Sequence, residues 1–181
     1  MPAEHGYVVR PALMASRAEQ TFIIRTWLDL YRLNYTSRSI PNEVYFWHHH
    51  KLVESLRDRP QAKWIVCAHP DDASVIFAFG CGELTPEAPV LHFAFVKSRF
   101  RRWGLATRIV DELAQGYDRP PALVVTHMTP DFRRFRHQLP VIFNPYLAYN
   151  PERKENHADR GSDLHAERGL SSALHTTDPA G

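Results

Sequence analysis

Two kinds of hydrophobic spacing alternate along this chain. Gly6 to Leu13, GYVVRPAL, reads as a first strand with Pro11 near its end. From Ser16 the apolar residues take helical spacing. Phe22, Ile23, Trp27, Leu30 and Tyr31 form a stripe that runs to about Leu33. Ser16-Arg17-Ala18-Glu19 opens this helix as a capping box. Asn34 to Pro41 is a polar connection. A second helix begins near Asn42, a suitable N-cap, and continues through EVYFWHHHKLVESLRD. Strand patterns follow. Lys63 to Ala68 is a strand, His69 to Asp72 a hairpin turn, and Ser74 to Leu84 the partner strand. Gly80 and Gly82 within it mark a bulge or a close approach by ligand.

The chain turns on Val90 to Gly116. Leu91, Phe93 and Phe95 are expected on one face of a strand, with His92, Ala94 and Val96 on the other. After Gly104 the period changes, and Leu105, Ile109, Val110 and Leu113 make an apolar helix stripe. Between strand and helix stands Arg101-Arg102-Trp103-Gly104-Leu105-Ala106, an R-x-x-G-x-A pattern. The first amides of a helix lack intrahelical partners and lie at the positive end of its dipole. Gly104 lets a ligand approach the backbone, Ala106 keeps the approach open, and Arg99, Arg101 and Arg102 add charge. A phosphate or pyrophosphate suits such a turn; a solvated basic loop is the plainer reading. Ala122 to Met128 is the next strand, parallel to Val90 to Val96 because a helix connects them. A short helix from Thr129 to about His137 and a last strand, Leu139 to Phe143, complete the order.

Composition narrows the picture. The 181 residues suit one domain with a substantial core, and 44% hydrophobic content suits a soluble globular protein. The predicted folded unit spans 1–149. From Asn150 the chain is polar, mixed in charge and expected to be a disordered tail. A net charge of +2 does not by itself argue for nucleic acid. Cys67 and Cys81 lack metal or disulfide spacing and read as reduced thiols in a cytoplasm. No run approaches the ~20 apolar residues of a membrane helix. The triplet His48-His49-His50 is a poor metal site, because neighbours on a helix point ~100° apart. No metal is expected.

The wider stretch around the basic turn resembles motif A of the GNAT family, the Gcn5-related N-acetyltransferases. Val96 matches the strand end, Phe100 the aromatic before the motif, Arg101 the Q/R, Gly104 the glycine and Ala106 the final small residue. Serine stands at Ser98 where the family often has proline, and arginine at Arg102 where it often has glycine. The resemblance implies an α/β fold: a mixed sheet flanked by helices, with the strands Val90–Val96 and Ala122–Met128 splayed at their ends. It implies acetyl-CoA as co-substrate. Backbone at Phe95 and Val96 would pair with its pantetheine arm. Arg101, Arg102, Trp103, Gly104, Leu105, Ala106 and Thr107 would hold its pyrophosphate.

Acyl transfer also needs a base for the acceptor amine and an acid for the departing thiolate. Glu83, His92 and His127, each in or beside a strand near the cleft, are the candidate bases, since histidine titrates near neutrality. A strand histidine bonded to a neighbour, or a solvated glutamate, is the alternative for each. Family practice points to Tyr146 as acid, with Tyr149 next. Tyr31, Tyr35, Tyr45 and Trp47 are candidates for acceptor contacts. The aromatic-rich second helix and short C-terminal half resemble small GNAT-like proteins of bacterial viruses, among them a Mom-like branch that modifies adenine in DNA. The function read from the sequence is therefore N-acyl transfer from acetyl-CoA to an amine. Nucleobase modification and non-catalytic acyl-CoA binding are the rivals. A nucleic-acid acceptor would use the cluster Arg133, Arg134, Arg136 and His137. The acceptor's class and the oligomeric state are left open.

Overall fold

The computed structural model describes residues 6–33, 35–117, 122–129, 132 and 140–149. Its order is β1 (Val8–Pro11), α1 (Arg17–Arg32), α2 (Tyr35–Arg38), α3 (Asn42–Arg57), β2 (Ala62–Ala68), β3 (Ile76–Leu84), β4 (Pro89–Val96), α4 (Leu105–Leu113), β5 (Leu123–Val125) and β6 (Val141–Phe143). Short 3-10 turns occupy Ser98–Phe100 and Pro145–Ala148. The six strands lie side by side in chain order. β1 to β4 are antiparallel, and β4–β5 and β5–β6 are parallel. This is the mixed α/β sheet expected. Among the described residues no helix is long and apolar enough to cross a membrane.

Each face of the sheet carries its own core. On one, Ile23, Trp27, Val53 and Leu56 of α1 and α3 meet Val66, Phe79 and Phe93. On the other, the α4 stripe Leu105, Ile109, Val110 and Leu113 meets Ile65, Cys67, Leu91 and Leu123. That stripe is as the spacing of the sequence requires. The glycines of β3 serve this packing. A Cβ on Gly80 would run into the Ile109 Cγ2 methyl, and one on Gly82 into the Val90 carbonyl oxygen and the Leu113 side chain. The close approach is by α4 at Gly80, and by α4 together with the β4 backbone at Gly82.

Several local expectations are corrected. Cys81 pairs with Phe93 and Gly82 with Leu91, so His92 is an extra residue in β4. Such a bulge interrupts the alternation of faces. Leu91 therefore lies on the α4 side while Phe93 and Phe95 lie on the α1–α3 side. At α1, Ser16 takes the N-cap position but makes no side-chain cap bond. Glu19 instead pairs with Arg10 at 2.8 Å and accepts the Leu13 amide at 2.7 Å. A two-pronged charged pair outweighs a neutral cap bond. Pro41 takes the N-cap position of α3, and Asn42 Oδ1 accepts Arg32 Nε at 3.0 Å. The segment read as a polar connection contains α2.

Candidate active site

β4 and β5 pair only at Val90–Val124 and Leu91–Val125, followed by the Thr126 amide donating to the Leu91 carbonyl at 3.1 Å. Beyond that point the described part of β4, Phe93 to Val96, pairs with β3 alone. The two strands form a fork, and the basic turn begins where β4 leaves it. Lys97 makes the last sheet bond, to Phe77. The 3-10 turn follows, and Arg102 (φ 69°) and Gly104 (φ 76°) take left-handed conformations that turn the chain into α4. A Cβ at Gly104 would meet nothing within 4 Å, so the helix entrance is open. Leu105, Ala106 and Thr107 supply the first-turn amides, which have no partner within the helix.

The bulk of this loop is folded away. The Phe100 ring stacks on Phe77 at 4.1 Å, and Trp103 stands edge-on to both. Arg101 and Arg102 are exposed, with Arg99 over the Phe100 ring. Phe95 packs against Phe79, Leu105 is buried in the α4 core, and Val96 packs beside it. Leu105 can offer a ligand backbone only, whereas Phe95 and Val96 are half-buried. Burial, with Arg99 adding to it, lowers the Lys97 pKa.

At the base of the fork lies a line of polar side chains. Arg59, just past α3, donates to the Leu147 and Ala148 carbonyls at 3.0 and 2.7 Å and to Glu83 Oε1 at 3.0 Å. His92 Nε2 stands 3.4 Å from the same carboxylate oxygen, too poorly aligned for a good hydrogen bond. His92 Nδ1 is 3.0 Å from Thr126 Oγ1, which is 2.8 Å from His127 Nδ1. Glu83, His92, Thr126 and His127 are all buried. Burial would raise the Glu83 carboxyl, but His92 and Arg59 together hold it below its usual range. Burial lowers His92, with Glu83 opposing. Burial lowers His127 well below its usual value; the charges of His49 and His92 add to this, and a backbone contact at His92 opposes it.

The three candidate bases are thus brought together. Arg59 and Thr126, which link them, were missed in the sequence. Arg59 sits in a charged RDR segment that reads as a solvated helix end, and Thr126 in an apolar strand. Tyr146 is not with them. It is 79% exposed on the 3-10 turn after β6, because that turn presents Ala148, and not Tyr146, to the core.

Aromatic rings wall the fork on the α1–α3 side. His127 stands edge-on to Trp27, Tyr31 and His49. His49 is sandwiched between Tyr31 at 4.9 Å and Tyr45 at 5.1 Å. Burial lowers its pKa to about 4. Tyr45 is spent in the core, its hydroxyl donating to the Leu28 carbonyl at 2.9 Å. Trp47 is exposed, with Lys51 over its ring. His48 contacts Trp47, and His50 lies 3.6 Å from Glu54, so the three histidines point into different surroundings. Among the described residues no group of three or more metal-ligating side chains converges. The Tyr35 side chain, the cluster Arg133 to His137 and the tail from Asn150 lie outside the described residues.

No family model matches the sequence, and no curated protein does. Solved structures do. One is a protein of Pyrococcus furiosus described as an acetyl transferase: 15% identity, 96% of this chain and 99% of that chain covered, TM-score 0.48. A second is the aminoglycoside antibiotic 6'-N-acetyltransferase AAC(6')-Ih of Acinetobacter baumannii: 13% identity, 97% and 100% covered, TM-score 0.39. A third is an aminoglycoside 6'-N-acetyltransferase complexed with coenzyme A: 17% identity, 59% and 52% covered, TM-score 0.40. Likeness at this level carries no argument about activity, which rests on the chain's own geometry. What the chain itself shows is a mixed α/β sheet in chain order, with a forked parallel pair and a basic turn opening α4.

Proposed function

We propose that this protein is an N-acyltransferase that moves an acetyl group from acetyl-CoA to an amine. The observation that carries the reading is the union of fork and turn. β4 runs free of β5 past Leu91 and leads directly into an open, left-handed Gly104 at the start of α4. A pantetheine arm can add to the free edge of β4 as a strand does. The pyrophosphate meets the first-turn amides of α4, with Arg99 and Arg102 adding charge. Backbone amides at the fork can polarise the thioester carbonyl.

The acceptor enters from the α1–α3 side, beside Tyr31. Its amine nitrogen attacks the carbonyl carbon, the C–S bond breaks and CoA leaves as thiolate. A neutral base must take the proton the amine loses. His127 fits that task by position: it stands at the fork beside Tyr31, and burial leaves it neutral at pH 7.

Calorimetry with acetyl-CoA tests the reading, on the wild type beside Gly104→Asp. The substitution places a carboxylate at the helix entrance. The expected loss is at least tenfold in affinity, which corresponds to about 1.4 kcal/mol. A folded wild type that binds no acetyl-CoA removes the acyltransferase reading.

A further inference from the structure

The polar line at the fork has a direction. A carboxylate can only accept hydrogen bonds, and a hydroxyl has one hydrogen to give. Glu83 is ionised, so a hydrogen on His92 Nε2, 3.4 Å away, is favoured. That leaves His92 Nδ1 as an acceptor for the Thr126 hydroxyl, 3.0 Å away. The Thr126 oxygen then accepts from the other side, so the hydrogen of His127 lies on Nδ1, 2.8 Å away. The lone pair of His127 falls on Nε2. Arg59 fixes the far end, because it binds Glu83 and two backbone carbonyls at once.

We infer that Arg59, Glu83, His92 and Thr126 form a proton relay that holds His127 as the Nδ1–H tautomer and draws charge from it when Nε2 takes the acceptor's proton. The inference rests on the acyltransferase reading for its role in turnover. Arg59, Glu83, His92 and Thr126 act as positioning residues; only His127 touches the acceptor.

The proton count balances. His127 Nε2 gains one hydrogen from the amine and Nδ1 passes one to the Thr126 oxygen. Thr126 gives its own hydrogen to His92 Nδ1. His127 ends neutral in the opposite tautomer, Thr126 is unchanged, and the positive charge rests on His92 beside the Glu83 carboxylate. This transfer moves charge from a poor location to a better one. His127 faces Trp27 and Tyr31 from α1, His49 from α3 and the His92 ring from β4, with no carboxylate among these neighbours and a backbone contact at His92 as the one that favours its charge. His92 has Glu83 within ion-pair distance, although Arg59 shares that carboxylate.

The test needs no acceptor. The full-length chain, labelled with 15N at histidine, is measured at pH 7 by two-bond 1H–15N correlation, which separates the two tautomers of each ring. The expected wild-type pattern is Nε2–H at His92 and Nδ1–H at His127. Thr126→Val removes the bridge and should shift His127 toward Nε2–H; Thr126→Ser should restore the wild-type pattern. Thr126→Ala repeats the test with a smaller side chain in case the valine variant fails to fold. A wild type with Nε2–H at His127, or a folded Thr126→Val or Thr126→Ala with unchanged tautomers, overturns the relay. Acetyl-CoA calorimetry on the same wild-type sample separates the two readings. Absent binding with the tautomers as stated removes the relay's role in acyl transfer, whereas binding with the wrong tautomers removes the relay alone.

Discussion

The basic turn before α4 and the polar line at the base of the fork lie at opposite ends of the free part of β4. They are built from different material. The turn offers backbone amides, so its exposed arginines can change without loss of the geometry that Phe100 and Trp103 anchor. The fork is buried and offers side chains, each of which satisfies the next. A site made of backbone depends on chain direction, and one made of side chains depends on every member being present.

That contrast can be broken most sharply at Glu83. Glu83→Ala leaves Arg59 and His92 without their carboxylate, and loss of one partner of a buried pair costs about 3–5 kcal/mol. Urea unfolding should show this loss, while acetyl-CoA affinity of the variant that remains folded should change little. Equal losses in both would mean that the two regions are one cooperative site.

A second test uses pH. His49 is held neutral, with its pKa lowered from 6.5 to about 4, so the unfolded chain binds the extra proton first as the solution is acidified. Stability is complete above pH 6.5 and falls as pH drops toward 4, by about 3 kcal/mol in all. His92 and His127, lowered in the same sense, add to the fall. The unfolding midpoint of His49→Phe should decline less between pH 7 and 5 than that of the wild type; an identical decline removes His49 from the account.

The glycines of β3 probe the support of the turn. Gly80→Ala and Gly82→Ala should each cost roughly 1–3 kcal/mol through overpacking. Leu113→Ala in the same chain should recover little of the Gly82 loss, because there the clash also includes the Val90 backbone carbonyl. Thermal melts of the single and double variants check this.

The smallest effect is expected in the turn itself. Arg102 holds φ 69° with a side chain that favours negative φ. Arg102→Gly should stabilise the fold by up to about 1 kcal/mol. Arg102→Ala should leave melting nearly unchanged. Both should weaken acetyl-CoA binding only modestly, with the difference from wild type shrinking as salt is added.

Much of this arrangement was legible in the sequence. Leu105, Ile109, Val110 and Leu113 keep a period that admits one helix face, and the turn before them carries its own glycine. The hairpin of β2 and β3 is bounded by turn residues. The bulge at His92 was not legible, because β4 is otherwise apolar on both faces and one histidine within it reads as an ordinary alternating position. The fate of Glu19 was hidden for another reason. Its partner Arg10 lies nine residues back on a different element, and local capping rules do not see it. Arg59 and Thr126 have meaning only once three elements are folded around them.

The Arg59 guanidinium also determines where the folded unit can be trimmed. It grips the carbonyls of Leu147 and Ala148 from a position 88 and 89 residues earlier. A protease cut after Ala148 leaves both acceptors in place. A cut after Asn144 strands two N–H groups of a nearly buried cation and loosens the carboxylate they share. The last turn of the unit is thus a latch on its interior, and limited digestion that stops at Ala148 should yield a fragment that melts as the parent does.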